Sequence, residues 1–162
     1  DYLAKNPNRL IPTIEDGDLV LWESNAILRY LAARYAPELW PADHALRALA
    51  DRWMDWQFQF ADAQRDAFVG LIRTAPETRD EARIARAADA SGTMMHILDG
   101  QLARQPWLTG EQFGVADIPM GVYAHSYFAL GFPRPDLPHL ADWYGRLRER
   151  PGYANLVMIP LT

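Results

Sequence analysis

The sequence predicts an α+β segment followed by an all-α bundle, and three observations carry that reading. Apolar residues alternate over short runs in IPTIEDGDLVLWES, residues 11–24, whereas almost everything later recurs at helical spacing. Two prolines in APELWPAD, Pro37 and Pro41, disfavour helix in the residues before them and mark a break between the two textures. The bundle part carries a heavy aromatic stripe, enough apolar surface for a core of its own.

Pro12 to Ile14 and Asp18 to Trp22 read as two antiparallel strands around Glu15-Asp16-Gly17, since Asp-Gly is a turn that closes hairpins. A helix follows from Ser24 to Tyr35. Ser24 is its expected N-cap, Ile27, Leu31 and Tyr35 share its expected inner face, and Pro37 stops it.

From Asp43, the spacing of Leu46, Leu49, Trp53, Trp56, Phe60, Ala63, Ala67 and Leu71 predicts one long helix. A second runs from about Glu77 to Arg104, with Ile84, Ala88, Ser91, Met95, Leu98 and Leu102 inward and Arg79 to Arg86 solvated. A third is expected from Val115 to just before Gly131. A fourth spans about Leu137 to Glu149, with Leu140, Trp143, Tyr144 and Leu147 inward and Pro151-Gly152 as its terminator.

Composition removes several function classes. A net charge of −5, with arginines interleaved among acids, argues against a nucleic-acid surface. No apolar run approaches the roughly 20 residues of a membrane span, and the first residues lack the apolar stretch of a signal peptide, so the cytoplasm is the expected compartment. Without cysteine there is no thiolate ligand and no cysteine nucleophile. His44, His96, His125 and His139 lack the spacing of a metal helix, so no metal is expected.

Three places carry candidate chemistry. Glu23-Ser24 sets a carboxylate beside a helix start, where free backbone N–H groups and the positive end of the helix dipole favour an anion. That pairing fits an amino-acid zwitterion; the plainer reading is a simple cap. At Ile11-Pro12 an ordinary trans proline opening a strand is one reading. A cis bond, the other, would leave the Ile11 backbone free to pair with an extended peptide. In Phe113-Gly114-Val115-Ala116-Asp117-Ile118, Asp117 stands at N3 of a capping box with Gly114 at the N-cap, and Phe113 can staple Ile118. Asp117 is therefore read as structural.

NPNRLIPTIEDGDLVLWESNAILRYLAARY resembles the cytosolic glutathione transferases, in which Asn-Pro, a Val/Ile-Pro pair, a hairpin and Glu-Ser-x-Ala-Ile recur in this order. FGVADI resembles the capping box of the same family's core helix. Arg9 and Gly114 depart from common family residues at their positions. The resemblance implies an incomplete thioredoxin-like glutathione-binding domain over residues 1–36, a linker at 37–42, an all-helical carboxyl-terminal domain over 43–162, and a homodimer. It implies that Pro12 is cis, that Ile11 pairs with the cysteinyl part of glutathione, and that Glu23 and Ser24 hold the γ-glutamyl end. Asp62 and Arg65 in FADAQR resemble positions aimed at glutathione, Asp62 across the dimer.

The sequence opens in what resembles the second helix of the thioredoxin-like domain. The family's Tyr, Ser or Cys that stabilises the glutathione thiolate is therefore expected upstream, with no catalytic residue in these residues, and this stretch alone is expected to be inactive. The implied activity is conjugation of glutathione to small apolar electrophiles. Trp56, Phe60 and Tyr127 are candidates for the electrophile pocket, although aromatic residues at helical spacing more often form core. A non-catalytic interaction module of the same fold, or a glutathione-dependent disulfide reductase or dehalogenase, are the rival readings.

Overall fold

A computed structural model describes residues 1–162. A short helix α1 (Tyr2–Lys5) leads into strands β1 (Thr13–Asp16) and β2 (Leu19–Trp22), then helix α2 (Ser24–Tyr35). The helical part comprises α3 (His44–Phe68), α4 (Glu81–Leu102), α5 (Asp117–Ala129), α6 (Pro138–Arg148) and α7 (Pro151–Leu156). No helix is long and apolar enough to cross a membrane.

The two strands pair antiparallel, from Thr13 with Trp22 to Asp16 with Leu19. Gly17, at φ 59, supplies the left-handed turn residue that an L side chain resists. Each strand starts one residue later than predicted. Pro12 has no N–H for the ladder, and Asp18 belongs to the turn.

Helix α2 has the predicted span but a different cap and a different inner face. Glu23 is its N-cap and Ser24 its first helical residue, with no side chain capping the turn. Asn25, Ile27 and Ala32 are buried, while Leu31 and Tyr35 are exposed. Polar anchoring explains the rotation. Asn25 Nδ2 donates to the Met54 carbonyl on α3 at 2.7 Å, and Arg29 pairs with Asp51 at 2.5 Å and Asp55 at 2.8 Å on the same helix. On the opposite side, the hydroxyls of Tyr30 and Tyr35 both donate to Asp16 at the hairpin turn.

Asp43 caps α3 by accepting from the Leu46 N–H at 2.9 Å. The buried stripe is Ala50, Trp53, Met54, Gln57, Phe60, Gln64 and Ala67, and the predicted Leu46 and Leu49 are exposed. The helix widens into a π turn at Val69–Arg73. There Gly70 lies so close to α4 that a Cβ would stand 2.5 Å from Ile84 Cγ1. Helix α4 starts later than predicted, because Pro76–Thr78 forms a separate 3-10 turn and Asp80 takes the cap, accepting from the Arg83 N–H at 2.9 Å. All six residues of its predicted inward stripe are buried.

Helix α5 becomes regular at Asp117, with Ala116 and not the expected Gly114 as its N-cap, because two shorter bonds, from Asp117 N to Gly114 O and from Ile118 N to Val115 O, form a tighter turn ahead of it. In α6, Leu140, Trp143 and Leu147 are buried, whereas Tyr144 is half-buried and stacks on Phe128 at 4.4 Å. Pro151 does not simply end the chain's helices; it opens α7, since the first helical position needs no N–H donor. Helices α3, α4, α5 and α6 enclose one apolar core that includes Met54, Phe60, Met95, Leu98, Met120 and Trp143.

Candidate functional site

The register of the hairpin puts two predicted segments together. Because Thr13 faces Trp22, the next residues outward, Pro12 and Glu23, leave the open end of the hairpin side by side. The Ile11-Pro12 bond is cis, and Ile11 is 87% exposed. The residues on either side of this bond are held by Asn6, which is buried and whose Nδ2 donates to the Leu10 carbonyl at 2.7 Å and to Thr13 Oγ1 at 3.0 Å. The Tyr2 hydroxyl donates to the same Leu10 carbonyl. The loop from Asn6 to Thr13 is thus tied at both ends, leaving Ile11 outermost.

Across from it, Glu23 has φ 73 and ψ 114, a left-handed conformation costly for a non-glycine residue and enriched at functional sites. This kink turns the chain abruptly from β2 into α2. The Glu23 carbonyl already accepts from Ile27 N at 2.9 Å, so the N–H groups of Ser24, Asn25 and Ala26 begin the helix without carbonyl partners in it. Glu23 and Ser24 are both exposed. An exposed carboxylate, a hydroxyl and an uncapped helix start within two residues can take an ammonium and a carboxylate at once.

Asn25 carries this helix start into the bundle. Besides its bond to Met54, its Nδ2 reaches Gln57 Oε1 on α3 at 3.3 Å. Tyr123 lines a concavity of about 500 Å³ between α3, α5 and the last residues of the chain. Phe68, Val122, Leu156, Val157 and Leu161 make it largely apolar. Asn25 and Gln57 escaped sequence reasoning because the contact that joins them spans residues far apart in the chain; only the polar breaks in the apolar stripe of α3, Gln57 and Gln64, hinted at it.

The aromatic candidates lie elsewhere. Phe60 is fully buried and Tyr127 only 1% exposed, their rings 6.3 Å apart in the core, so neither offers a face to a ligand. Phe60 serves the concavity at one remove, by packing edge-on against Tyr123. Trp56 is half-buried on the other side of α3, in a shallow recess with Arg52, His96 and Arg104. Asp62 and Arg65 pair with each other at 2.7 Å on the exposed surface of α3, and Arg65 borders the concavity.

Asp117 is wholly buried. One oxygen accepts from the Leu108 N–H at 3.1 Å and Trp143 Nε1 at 2.8 Å; the other accepts from the Gly114 N–H at 2.9 Å. Burial pushes its carboxyl up to about 6, and the three donors act in the opposite direction. With every contact spent on backbone and tryptophan, the carboxyl joins the start of α5 to α6 and faces no cavity. Phe113 packs edge-on against Trp107, with the Arg150 guanidinium over its ring.

Comparison with known proteins gives a consistent picture. The glutathione S-transferase N-terminal domain matches residues 1–33, and the C-terminal domain of the same family matches residues 50–151. Glutathione S-transferase GstB of Escherichia coli K12 is 43% identical over 166 residues, covering 100% of this chain and 80% of the relative. The glutathione-bound crystal structure of a theta class glutathione S-transferase from Xanthomonas axonopodis pv. citri superposes with a TM-score of 0.95 at 53% identity, over 99% of this chain and 78% of that one. A glutathione S-transferase from Pseudomonas fluorescens superposes with a TM-score of 0.80 at 30% identity, over 99% of this chain and 77% of that one.

Proposed function

The chain belongs to the glutathione S-transferase family, and we propose that within the full-length protein it binds glutathione along the open end of the hairpin for conjugation to small apolar electrophiles. The observation that carries this reading is the side-by-side exit of Pro12 and Glu23 from the hairpin, next to the uncapped start of α2. Ile11 offers its exposed backbone to the cysteinyl unit. Glu23 takes the ammonium of the γ-glutamyl end, and the Ser24 hydroxyl with the α2 N–H groups takes its carboxylate. The bound form of the Xanthomonas relative makes glutathione the natural ligand to test here. Asp62 is a lesser candidate at the same ligand, its exposed carboxylate already paired with Arg65.

In this reading residues 1–36 serve glutathione, 37–42 form a linker, and 43–162 supply the electrophile side, in a cytoplasmic homodimer. The electrophile occupies the concavity beside Tyr123, whose apolar lining suits small apolar molecules. The chemistry requires the thiol of bound glutathione to ionise below the roughly 8.5 of a free cysteine thiol, so that a thiolate meets the electrophilic carbon. Incubating full-length protein with glutathione and benzyl chloride tests the activity: enzyme-dependent formation of the thioether supports it, and a rate equal to the uncatalysed one contradicts it.

A further inference from the structure

One wall of the concavity is a stretch of chain with few bonds of its own. Val157 and Met158 still donate to the Tyr153 carbonyl of α7, and Ile159 to Val157, but residues 160–162 make no backbone hydrogen bond. Two side chains of the bundle hold this tail. His125 Nε2 on α5 donates to the Ile159 carbonyl at 3.2 Å, and Arg73 Nη2 donates to the Thr162 carbonyl at 3.2 Å. Pro160, Leu161 and Thr162 all line the concavity, so the second bond fixes the far end of that wall.

Arg73 reaches the tail from the π turn at Val69–Arg73. A turn closed by i→i+5 bonds returns Arg73 to the side of Phe68, where an α-helical turn of 3.6 residues would carry it round the helix. Its guanidinium lies 5.5 Å from the centre of the Phe68 ring, which lines the concavity from α3. The turn itself is pinned. Arg79 donates to the Leu71 carbonyl at 2.8 Å, Thr74 Oγ1 donates to the Val69 carbonyl at 3.0 Å, and Gly70 packs closely on Ile84. Arg73 is exposed and pairs with no carboxylate. It does not line the concavity, yet its two contacts join one wall, Phe68, to another, Thr162.

We propose that Arg73 is a positioning residue that sets specificity for larger apolar electrophiles, by clamping the tail against the end of α3 as a fixed wall. The inference rests on the transferase reading above. An electrophile with two rings covers more apolar wall than one with a single ring, so it gains more from a wall already in place. With the clamp gone, each binding event must also order the tail, a cost that appears in KM. The thiolate and the reacting carbon are untouched, so kcat holds.

The test compares full-length wild type, Arg73→Met and Arg73→Lys on 4-(chloromethyl)biphenyl and on benzyl chloride. Met keeps an unbranched side chain over Phe68 and removes the donor, whereas Lys keeps a cationic one. In Arg73→Met, loss of a charge-assisted hydrogen bond should raise KM for the biphenyl electrophile at least about fivefold with kcat unchanged, while KM for benzyl chloride stays within about twofold. Arg73→Lys should fall between wild type and Arg73→Met. Hydrogen exchange over residues 157–159 should quicken in Arg73→Met, with α6 unaffected. Equal changes in KM on both electrophiles, no change on either, a loss confined to kcat, or unaltered exchange of the tail overturns the proposal and leaves the transferase reading standing. A wild type that consumes neither electrophile overturns both.

Discussion

Thr13 pairs with Trp22 across the hairpin, and this single register brings the Ile11-Pro12 loop against the Glu23-Ser24 helix start. A one-residue slip would turn every strand side chain to the opposite face and part the two segments. The Gly17 turn and the two tyrosines that grip Asp16 hold the closed end of the same hairpin. Local turn chemistry thus sets the spacing of a site built at the other end.

Asp117 should behave as a structural residue. Asp117→Ala strands two backbone N–H groups and the Trp143 indole N–H in the core, and at about 1 to 3 kcal/mol for each buried unpaired donor the loss should exceed about 3 kcal/mol. Gly114→Ser should be neutral or stabilising by a few tenths of a kcal/mol, since a Cβ there meets nothing nearer than Thr109 Oγ1 at 3.4 Å. Chemical denaturation of both variants checks this.

The pH dependence of the Asp117 contribution has a definite sign. Its folded pKa, about 6, lies above the ordinary 3.8, so the folded state holds the proton more tightly. The associated stability is fully present below about pH 4 and is lost as pH rises through about 6. Measured against Asp117→Asn, which cannot titrate, wild-type unfolding free energy should fall by on the order of 3 kcal/mol across that window and stay level above about pH 7. A flat difference would contradict the assignment.

Gly70→Ala should destabilise the contact between the π turn and α4, because the new Cβ would stand 2.5 Å from Ile84 Cγ1 on a buried side chain. Overpacking of this kind costs about 1 to 3 kcal/mol. Adding Ile84→Val, which removes Cδ1 and leaves a shorter side chain, should recover part of that loss, seen as non-additivity in a double-mutant cycle.

Elements whose burial follows from apolar spacing alone were legible in the sequence: the stripe of α4 is buried as its period implies, and the hairpin forms where expected, although its turn is Gly17-Asp18, with Glu15 and Asp16 paired in β1 rather than in the turn. Elements oriented by polar contacts were not. The inner face of α2 is set by Asn25 and Arg29 gripping α3, so an apolar period through Leu31 and Tyr35 points to the wrong side. Ser24 looks like a cap, yet the cap is Glu23 in a left-handed conformation that no local pattern announces for glutamate. Among the site residues, Glu23-Ser24 and Ile11-Pro12 could be read as motifs. Tyr123 could not, for on α5 it differs from Tyr127 only in facing the concavity rather than the core.

Glutathione binding to the full-length protein, measured by titration calorimetry for wild type, Glu23→Gln and Ser24→Ala, tests the central claim most directly. Removing a charge-assisted hydrogen bond costs about 1.5 to 3 kcal/mol, so Glu23→Gln should weaken binding by roughly tenfold or more, with a smaller loss for Ser24→Ala, whose backbone N–H remains. Unchanged affinity in both variants, with the fold intact, would contradict the placement of the γ-glutamyl end at the start of α2.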